Sequence, residues 1–155
     1  MNRRMQILLT DDDDLFWELL QEVVADQPEL GERVSLVRVP DGSDALQYLN
    51  GVGPYANRRR FPWPDLMLLD QRMPLLDGTD LLARLQQQPI GQPRPMICLF
   101  SSSGQEKLVH QAYQLGANFC MVKPLTFDAL KERFRLIVEF FLNVIELPLR
   151  PETQN

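Results

Sequence analysis

The fold is decided by the stretch LMLLDQRMPLLDG at residues 66–78. Its first four residues form an apolar run, which predicts a strand buried on both faces, as central strands of parallel sheets are. The run ends at Asp70, and Pro74 and Gly78 then predict a turn that leads into a helix. A carboxylate at the carboxyl end of a buried strand is typical of the ligand-binding edge of an α/β sheet.

Outward from this stretch, short apolar runs alternate with amphipathic stretches along the chain. The predicted strands are residues 7–9, 34–39, 66–69, 96–100 and 119–122. The predicted helices are residues 15–24, 42–49, a stretch that bears Leu81, Leu82 and Leu85, residues 105–115 and residues 126–146. Five strands alternating with five helices predict right-handed βαβ units and a parallel sheet covered on both faces. We expect one domain in residues 1–155, with its core at residues 5–146 and a C-terminal tail at residues 147–155.

Polar residues end or follow four of the predicted strands: Asp11, Asp12, Asp70, Ser101 and Lys123. Because the carboxyl ends of parallel strands meet at one edge, we expect these side chains to share a pocket. The carboxylates are ligands that Mg²⁺ prefers, Lys123 supplies a positive charge, and Ser101 supplies a hydroxyl donor. These are the groups that phosphoryl transfer to a carboxylate requires.

This order of residues resembles the receiver domain of two-component response regulators. The match consists of the Asp11-Asp12 pair, the pattern Asp-x-x-Met-Pro-x-x-Asp-Gly at residues 70–78, Ser101 and the Lys123-Pro124 pair. The resemblance implies a flavodoxin-like, doubly wound fold with strand order 2-1-3-4-5. It also implies that a partner histidine kinase or phosphotransfer protein phosphorylates Asp70, and that the chain has no small-molecule substrate.

The same resemblance implies a set of metal ligands. Asp12 and Asp70 would bind Mg²⁺ directly, the backbone carbonyl of Arg72 would be the third protein ligand, and Asp11 would act through water. Arg72 also flanks the position of the attacking water, so we expect it to affect the rate of self-dephosphorylation. Aspartyl-phosphate phosphatases need a second aspartate two positions after the nucleophile as a general acid. Arg72 occupies that position, so we expect no enzyme activity toward other substrates.

The remaining expectations concern phosphoryl contact and its consequences. The resemblance implies that Lys123 and the Ser101 hydroxyl contact the phosphoryl group, and that the peptide bond before Pro124 is cis. Receivers usually carry an aromatic residue three positions before the lysine, where this chain has Cys120. The aromatic residue is instead Phe119, and a one-residue shift in a strand turns the side chain to the opposite face. The sequence therefore leaves open whether the Ser101 hydroxyl is coupled to an aromatic residue in the usual way.

Two further features resemble the single-domain regulators that are paired with cyanobacterial phytochromes. They are the loop segment Tyr-Ala-Asn at residues 55–57 and the chain ending at residues 139–148. That subgroup tends to form homodimers, and the last predicted helix has more apolar residues than one core-facing stripe needs. The predicted dimer face comprises Phe134, Val138, Phe141 and Ile145; a wide core contact within one chain is the alternative.

Composition excludes several classes of protein. Of the 155 residues, 45% are hydrophobic and the formal net charge is −5, which argues against nucleic-acid binding. The basic run at residues 58–60 is interpreted as a solvated loop. Cys98 and Cys120 lie in apolar runs and are interpreted as core residues. The apolar run near the N-terminus is too short for a signal peptide or a membrane span, so we expect a cytoplasmic protein.

Two alternatives stay open on the sequence alone. The first is functional: the chain is either a phosphorylated signalling module or an interaction adaptor that works without phosphorylation, as Cys120 and the apolar last helix allow. The second is local: Asp13 and Asp14 either cap the first helix or add to the metal ligands.

Overall fold

The computed structural model describes residues 3–89, 92–102 and 105–151. Within these residues five strands alternate with six α-helices, and a short 3-10 helix lies at Gly53–Tyr55. In chain order the elements are β1 (Met5–Thr10), α1 (Asp14–Ala25), α2 (Pro28–Arg33), β2 (Val34–Val39), α3 (Gly42–Asn50), β3 (Leu66–Asp70), α4 (Gly78–Gln86), β4 (Met96–Ser101), α5 (Glu106–Gln114), β5 (Phe119–Val122) and α6 (Phe127–Asn143). The predicted α/β class is confirmed.

The five strands form one parallel sheet in the order β2-β1-β3-β4-β5. The predicted flavodoxin-like topology is therefore confirmed. Along β1, alternate side chains enter two different apolar clusters: Ile7 and Leu9 pack with α1 and α6, whereas Leu8 packs with α3 and α4. This alternation covers both faces of the sheet and leaves the carboxyl ends of the strands as the polar edge.

The structure adds one helix to the five predicted from sequence. Helix α2 is only six residues long and has a proline in its first turn, where the missing N–H costs nothing. Its single buried residue, Leu30, leaves no helical periodicity to detect. Helix α6 begins after the predicted cap Thr126, whose side chain accepts a hydrogen bond from the Ala129 N–H. It ends at Asn143, three residues before the predicted end.

The predicted dimer face is wrong for three of its four residues. Phe134, Val138 and Phe141 are at most 2% exposed and lie in the core between α6, α1 and the sheet. Ile145 is half-buried and packs against the same core. Spacings of four, three and four residues place one helix stripe toward a core as readily as toward a second chain, and here the core takes it.

The basic run is also less solvated than the sequence suggests. The Arg58 guanidinium is half-buried and donates to the backbone carbonyls of Tyr48 and Leu49, at 2.6 Å each. These carbonyls belong to the last turn of α3, where carbonyl oxygens lack N–H donors from a further helical turn. Arg58 therefore caps α3 and ties the long loop after it to the domain.

The C-terminal tail is fastened to the amino end of the sheet. Asp65, whose side chain is 2% exposed, accepts hydrogen bonds from Arg3, Arg150 and the Gln6 N–H. The Arg150 guanidinium also donates to the carbonyl of Arg4. The tail thus returns to the start of β1, at the edge opposite the polar one. Among the helices in the described ranges, none combines the length and apolar character needed to cross a membrane.

Candidate functional site

Three carboxylates converge where β1 and β3 end. Thr10, the last residue of β1, pairs with Leu69 in β3, so the next residues along the chain, Asp11 and Asp70, become neighbours. Oxygen atoms of Asp11, Asp12 and Asp70 lie within 4.8 Å of one another. The predicted convergence of these three residues is therefore present in the structure.

The negative charges of these carboxylates repel one another. Burial, and after it the negative charge of Asp11, raise the pKa of Asp70 to about 7, although the positive charge of Lys123 acts in the lowering direction. Asp12 makes a smaller contribution in the raising direction. Oxygen ligands at this spacing, with one carboxyl driven toward protonation, fit a hard divalent cation that would neutralise them.

The Lys123 ammonium lies next to these carboxylates. Its Nζ is 2.7 Å from Asp11 Oδ2, 3.6 Å from Asp13 Oδ2 and 4.0 Å from Asp70 Oδ2. Lys123 directly follows β5, and its backbone N–H donates to the carbonyl of Ser101 at 2.7 Å. The last residue of β4 and the first after β5 are therefore held side by side.

A cleft of about 880 Å³ opens over Asp70. Its lining includes Ser101, Lys123 and Arg72, the further residues singled out from the sequence. Arg72 is exposed, whereas Asp70 is only 7% exposed at the base. The group that reacts with Asp70 must therefore enter through the cleft, past Arg72 and Ser101.

The loop after β3 explains the pattern Asp-Gly at residues 77–78. The Asp77 side chain accepts hydrogen bonds from the Asp80 N–H and the Thr79 hydroxyl, which caps α4. A Cβ on Gly78 would come within 2.6 Å of the carbonyl oxygen of Asp70. Glycine is therefore required sterically, because α4 begins directly against the backbone of Asp70.

The four consecutive aspartates at residues 11–14 have different contacts. Asp13 caps α1 by accepting hydrogen bonds from the N–H groups of Leu15 and Phe16. Asp14 is exposed and pairs with Arg38 at 2.7 Å. The helix-capping interpretation thus applies to Asp13, although its second oxygen also faces Lys123.

Arg38 is a site residue that sequence reasoning missed. It lies in β2, and its guanidinium donates through Nε to the backbone carbonyl of Asp11 at 2.9 Å and through Nη1 to Asp14. The turn that carries the aspartates is thereby anchored to the neighbouring strand. The one signal in the sequence was a basic residue inside the apolar run at residues 34–39.

The region of Cys120 differs from the usual receiver pattern in the way that the sequence suggested. Phe119 packs edge-on against Phe141 in the cluster next to α6, whereas Cys120 packs in the cluster on the other face. The Cys120 N–H donates to the hydroxyl of Tyr113 on α5, at 3.2 Å. A tyrosine from the adjacent helix thus contacts the strand position where receivers usually carry an aromatic residue.

The predicted cis bond before Pro124 is wrong for this structure, in which the described residues have no cis peptide. The trans form of an X–Pro bond is favoured by about 0.5–1 kcal/mol. Lys123 reaches Asp11 with the trans bond, so the site geometry does not require the cis form.

Comparisons with known proteins agree with this geometry. The family profile described as "Response regulator receiver domain" matches residues 7–135. The response regulator Rcp1 of Synechocystis is 30% identical over 142 residues, which are 92% of each chain. Its solved structure in the Mn²⁺-bound form has a TM-score of 0.76 and 29% identity, with 94% of this chain and 99% of that chain covered.

Two further solved structures are similar over the same lengths. The response regulator RPA3017, in red light signaling of R. palustris, has a TM-score of 0.83 and 31% identity. The phosphorylated cyanobacterial phytochrome response regulator RcpA has a TM-score of 0.80 and 31% identity. In both comparisons 94% of this chain and 99% of the other chain are covered.

Proposed function

This chain belongs to the response regulator receiver domain family, and we propose that it is a phosphorelay regulator which accepts a phosphoryl group on Asp70. The observation that carries the proposal is the position of Asp70. It lies at the base of a cleft, within 4.8 Å of two other carboxylates and 4.0 Å from the Lys123 ammonium. The fold delivers these groups from three strand ends: the other two carboxylates follow β1, Asp70 ends β3, and Lys123 follows β5.

The proposed donor is a phosphohistidine on a histidine kinase or phosphotransfer protein. An Asp70 oxygen attacks phosphorus, and the new P–O bond forms as the P–N bond breaks. The imidazole leaves with the electron pair of the broken bond and takes a proton from solvent. Asp70 must be ionised to attack, which its raised pKa opposes until positive charge is supplied.

Mg²⁺ is the proposed cofactor, held by Asp11, Asp12, Asp70 and the backbone carbonyl of Arg72. When bound, this ion neutralises the carboxylates and the phosphoryl oxygens. The protein itself supplies two hydrogen-bond donors. The Lys123 ammonium and the Ser101 hydroxyl line the same cleft and are proposed to donate to phosphoryl oxygens.

The direct test uses the full chain with Mg²⁺ and a small phosphodonor such as acetyl phosphate. We expect the intact mass of the wild-type protein to increase by one phosphoryl group and that of Asp70→Asn to stay unchanged. Equal labelling of the two proteins, or no labelling of either, would contradict the proposal.

The partners are also proposed from similarity and composition. Three relatives named above are response regulators, two of them in red-light or phytochrome signalling, which supports a phytochrome-type kinase as the donor. We further propose a cytoplasmic location and no nucleic-acid partner, as the net charge of −5 favours.

The homodimer proposed from sequence needs a different surface from the one predicted. Leu136, Phe140 and Val144 are 44–70% exposed and lie four residues apart along the last helix and its cap. Sedimentation with and without beryllofluoride tests for association. Replacement of Phe140 by Ser is expected to abolish it.

A phosphorylation-independent adaptor stays the second candidate. It is favoured by Cys120, because the strand position that reports phosphorylation in most receivers has no aromatic side chain here. Partner binding or dimerisation that strengthens several-fold with beryllofluoride would contradict the adaptor and support the phosphorelay regulator.

A further inference from the structure

The Lys123 ammonium lies on two aromatic rings as well as against the carboxylates. Its Nζ is 4.3 Å from the ring centre of Phe16 and 5.6 Å from that of Phe100. The two ring centres are 5.4 Å apart, and the rings are tilted by 42°. Both side chains are buried, Phe16 from α1 and Phe100 from β4.

These contacts are in the range where a cation is attracted to the negative face of an aromatic ring. The attraction acts within about 6 Å of the ring centre and is stronger when the pair is desolvated. Lys123 is 7% exposed, so water screens the contact little. The ammonium is thus held between a carboxylate side, led by Asp11 at 2.7 Å, and an aromatic side.

We propose that Phe16 and Phe100 are positioning residues for phosphoryl binding, because their ring faces hold the Lys123 ammonium at the inner wall of the cleft beside Asp70. The inference rests on the proposed function, since it concerns the group that Asp70 would carry.

The chemistry of the rings suits this task better than an oxygen acceptor would. A lysine ammonium has three N–H donors on a flexible four-carbon stem. One donor is used by Asp11. A carboxylate or carbonyl on the opposite side would use another, whereas a ring face attracts the charge without a directional N–H···O bond. The remaining donors can therefore turn toward a phosphoryl oxygen, and the stem is restrained from swinging out of the cleft.

The competing explanation is that the two rings only fill the core. Both belong to the apolar cluster next to α1 and α6. The same cluster contains a second ring pair, Phe119 and Phe141, with centres 6.0 Å apart. Within the described residues no cation lies over that second pair. It is the matched control for packing without charge.

The experiment replaces Phe16 in the full chain with mono-, di- and trifluorinated phenylalanine. These side chains keep nearly the same shape, while each fluorine weakens the negative face of the ring. We expect the affinity for beryllofluoride with Mg²⁺ to fall stepwise, by about three- to tenfold for the trifluorinated ring. Thermal unfolding of each variant shows whether the fold is retained.

The same series at Phe119 is expected to leave the affinity unchanged. A flat series at Phe16 in a protein that binds beryllofluoride would overturn this inference and leave the proposed function standing. Equal stepwise losses at Phe16 and Phe119 would also overturn it, because the effect would then follow packing. A wild-type protein that binds no beryllofluoride would contradict the proposed function itself, and this inference with it.

Discussion

The ammonium of Lys123 lies 2.7 Å from the carboxylate of Asp11, and both side chains are buried. The pair joins the end of β5 to the end of β1, across the two strands that lie between them, β3 and β4. Removing one partner of a buried ion pair leaves the other charge without compensation. The pair therefore links the stability of the domain to the groups proposed to bind phosphate.

Replacement of Lys123 by Met is expected to lower the free energy of unfolding by about 3 kcal/mol in EDTA at neutral pH. Asp11 is fully buried and would lose its cation. Mg²⁺ should restore part of the loss by neutralising the same carboxylates. Chemical denaturation with and without Mg²⁺ measures both effects.

The matched control is Lys131→Met. Lys131 pairs with Asp26 at 2.5 Å, but both side chains are more than a third exposed. An exposed pair contributes about 0–1 kcal/mol. Equal losses for the two variants would show that burial of the Lys123 pair has no energetic consequence.

Replacement of Gly78 by Ala is expected to destabilise the domain by about 1–3 kcal/mol and to slow the labelling of Asp70. The added methyl group would lie 2.6 Å from the Asp70 carbonyl oxygen and 2.8 Å from Leu99 Cδ1. Denaturation and labelling by acetyl phosphate measure the two effects. Gly31→Ala is the control, since its nearest neighbour atoms would be at an ordinary 3.5 Å; a similar loss there would contradict the steric explanation.

Asp65→Asn is expected to release the C-terminal tail. The buried carboxylate binds Arg3 and Arg150 together, and an amide cannot neutralise either guanidinium. The backbone ¹⁵N order parameters of Leu149 and Arg150 should fall in the variant, while those at the carboxyl end of β3 stay high. Unchanged order parameters in the tail of Asp65→Asn would show that other contacts hold it.

The ionisation of Asp70 should make the free energy of unfolding depend on pH. Its folded-state pKa of about 7 lies above the ordinary 3.8, because burial and the Asp11 charge disfavour ionisation. Between these values the folded protein holds a proton that the unfolded chain releases. The contribution of Asp70 to the free energy of unfolding is therefore full below pH 3.8 and is lost as the pH rises to about 7.

This dependence is measured as the difference between wild type and Asp70→Asn in EDTA. As the pH rises across that window, the free energy of unfolding of the wild type should fall relative to that of Asp70→Asn. Excess Mg²⁺ should reduce this fall. A difference that is constant with pH in EDTA would contradict the raised pKa.

Much of the fold and of the acidic site was predictable because it depends on local patterns. Strand ends coincide with polar residues such as Asp70 and Ser101, and the order of a parallel sheet brings such ends together. The contacts of Arg38 and Phe16 were not predictable, since they depend on register and helix orientation. The role of the apolar residues Phe134, Val138 and Phe141 was ambiguous for another reason. Their spacing is the same whether a helix faces a core or a second chain.

The central claim is chemistry at Asp70, and the most direct measurement traps the product. After incubation with Mg²⁺ and acetyl phosphate, borohydride reduces an aspartyl phosphate to homoserine, which peptide mass spectrometry then locates. The account predicts homoserine at position 70 and at neither Asp11 nor Asp12. Homoserine at Asp11 or Asp12, or none at position 70 in a folded, Mg²⁺-saturated protein, would contradict it.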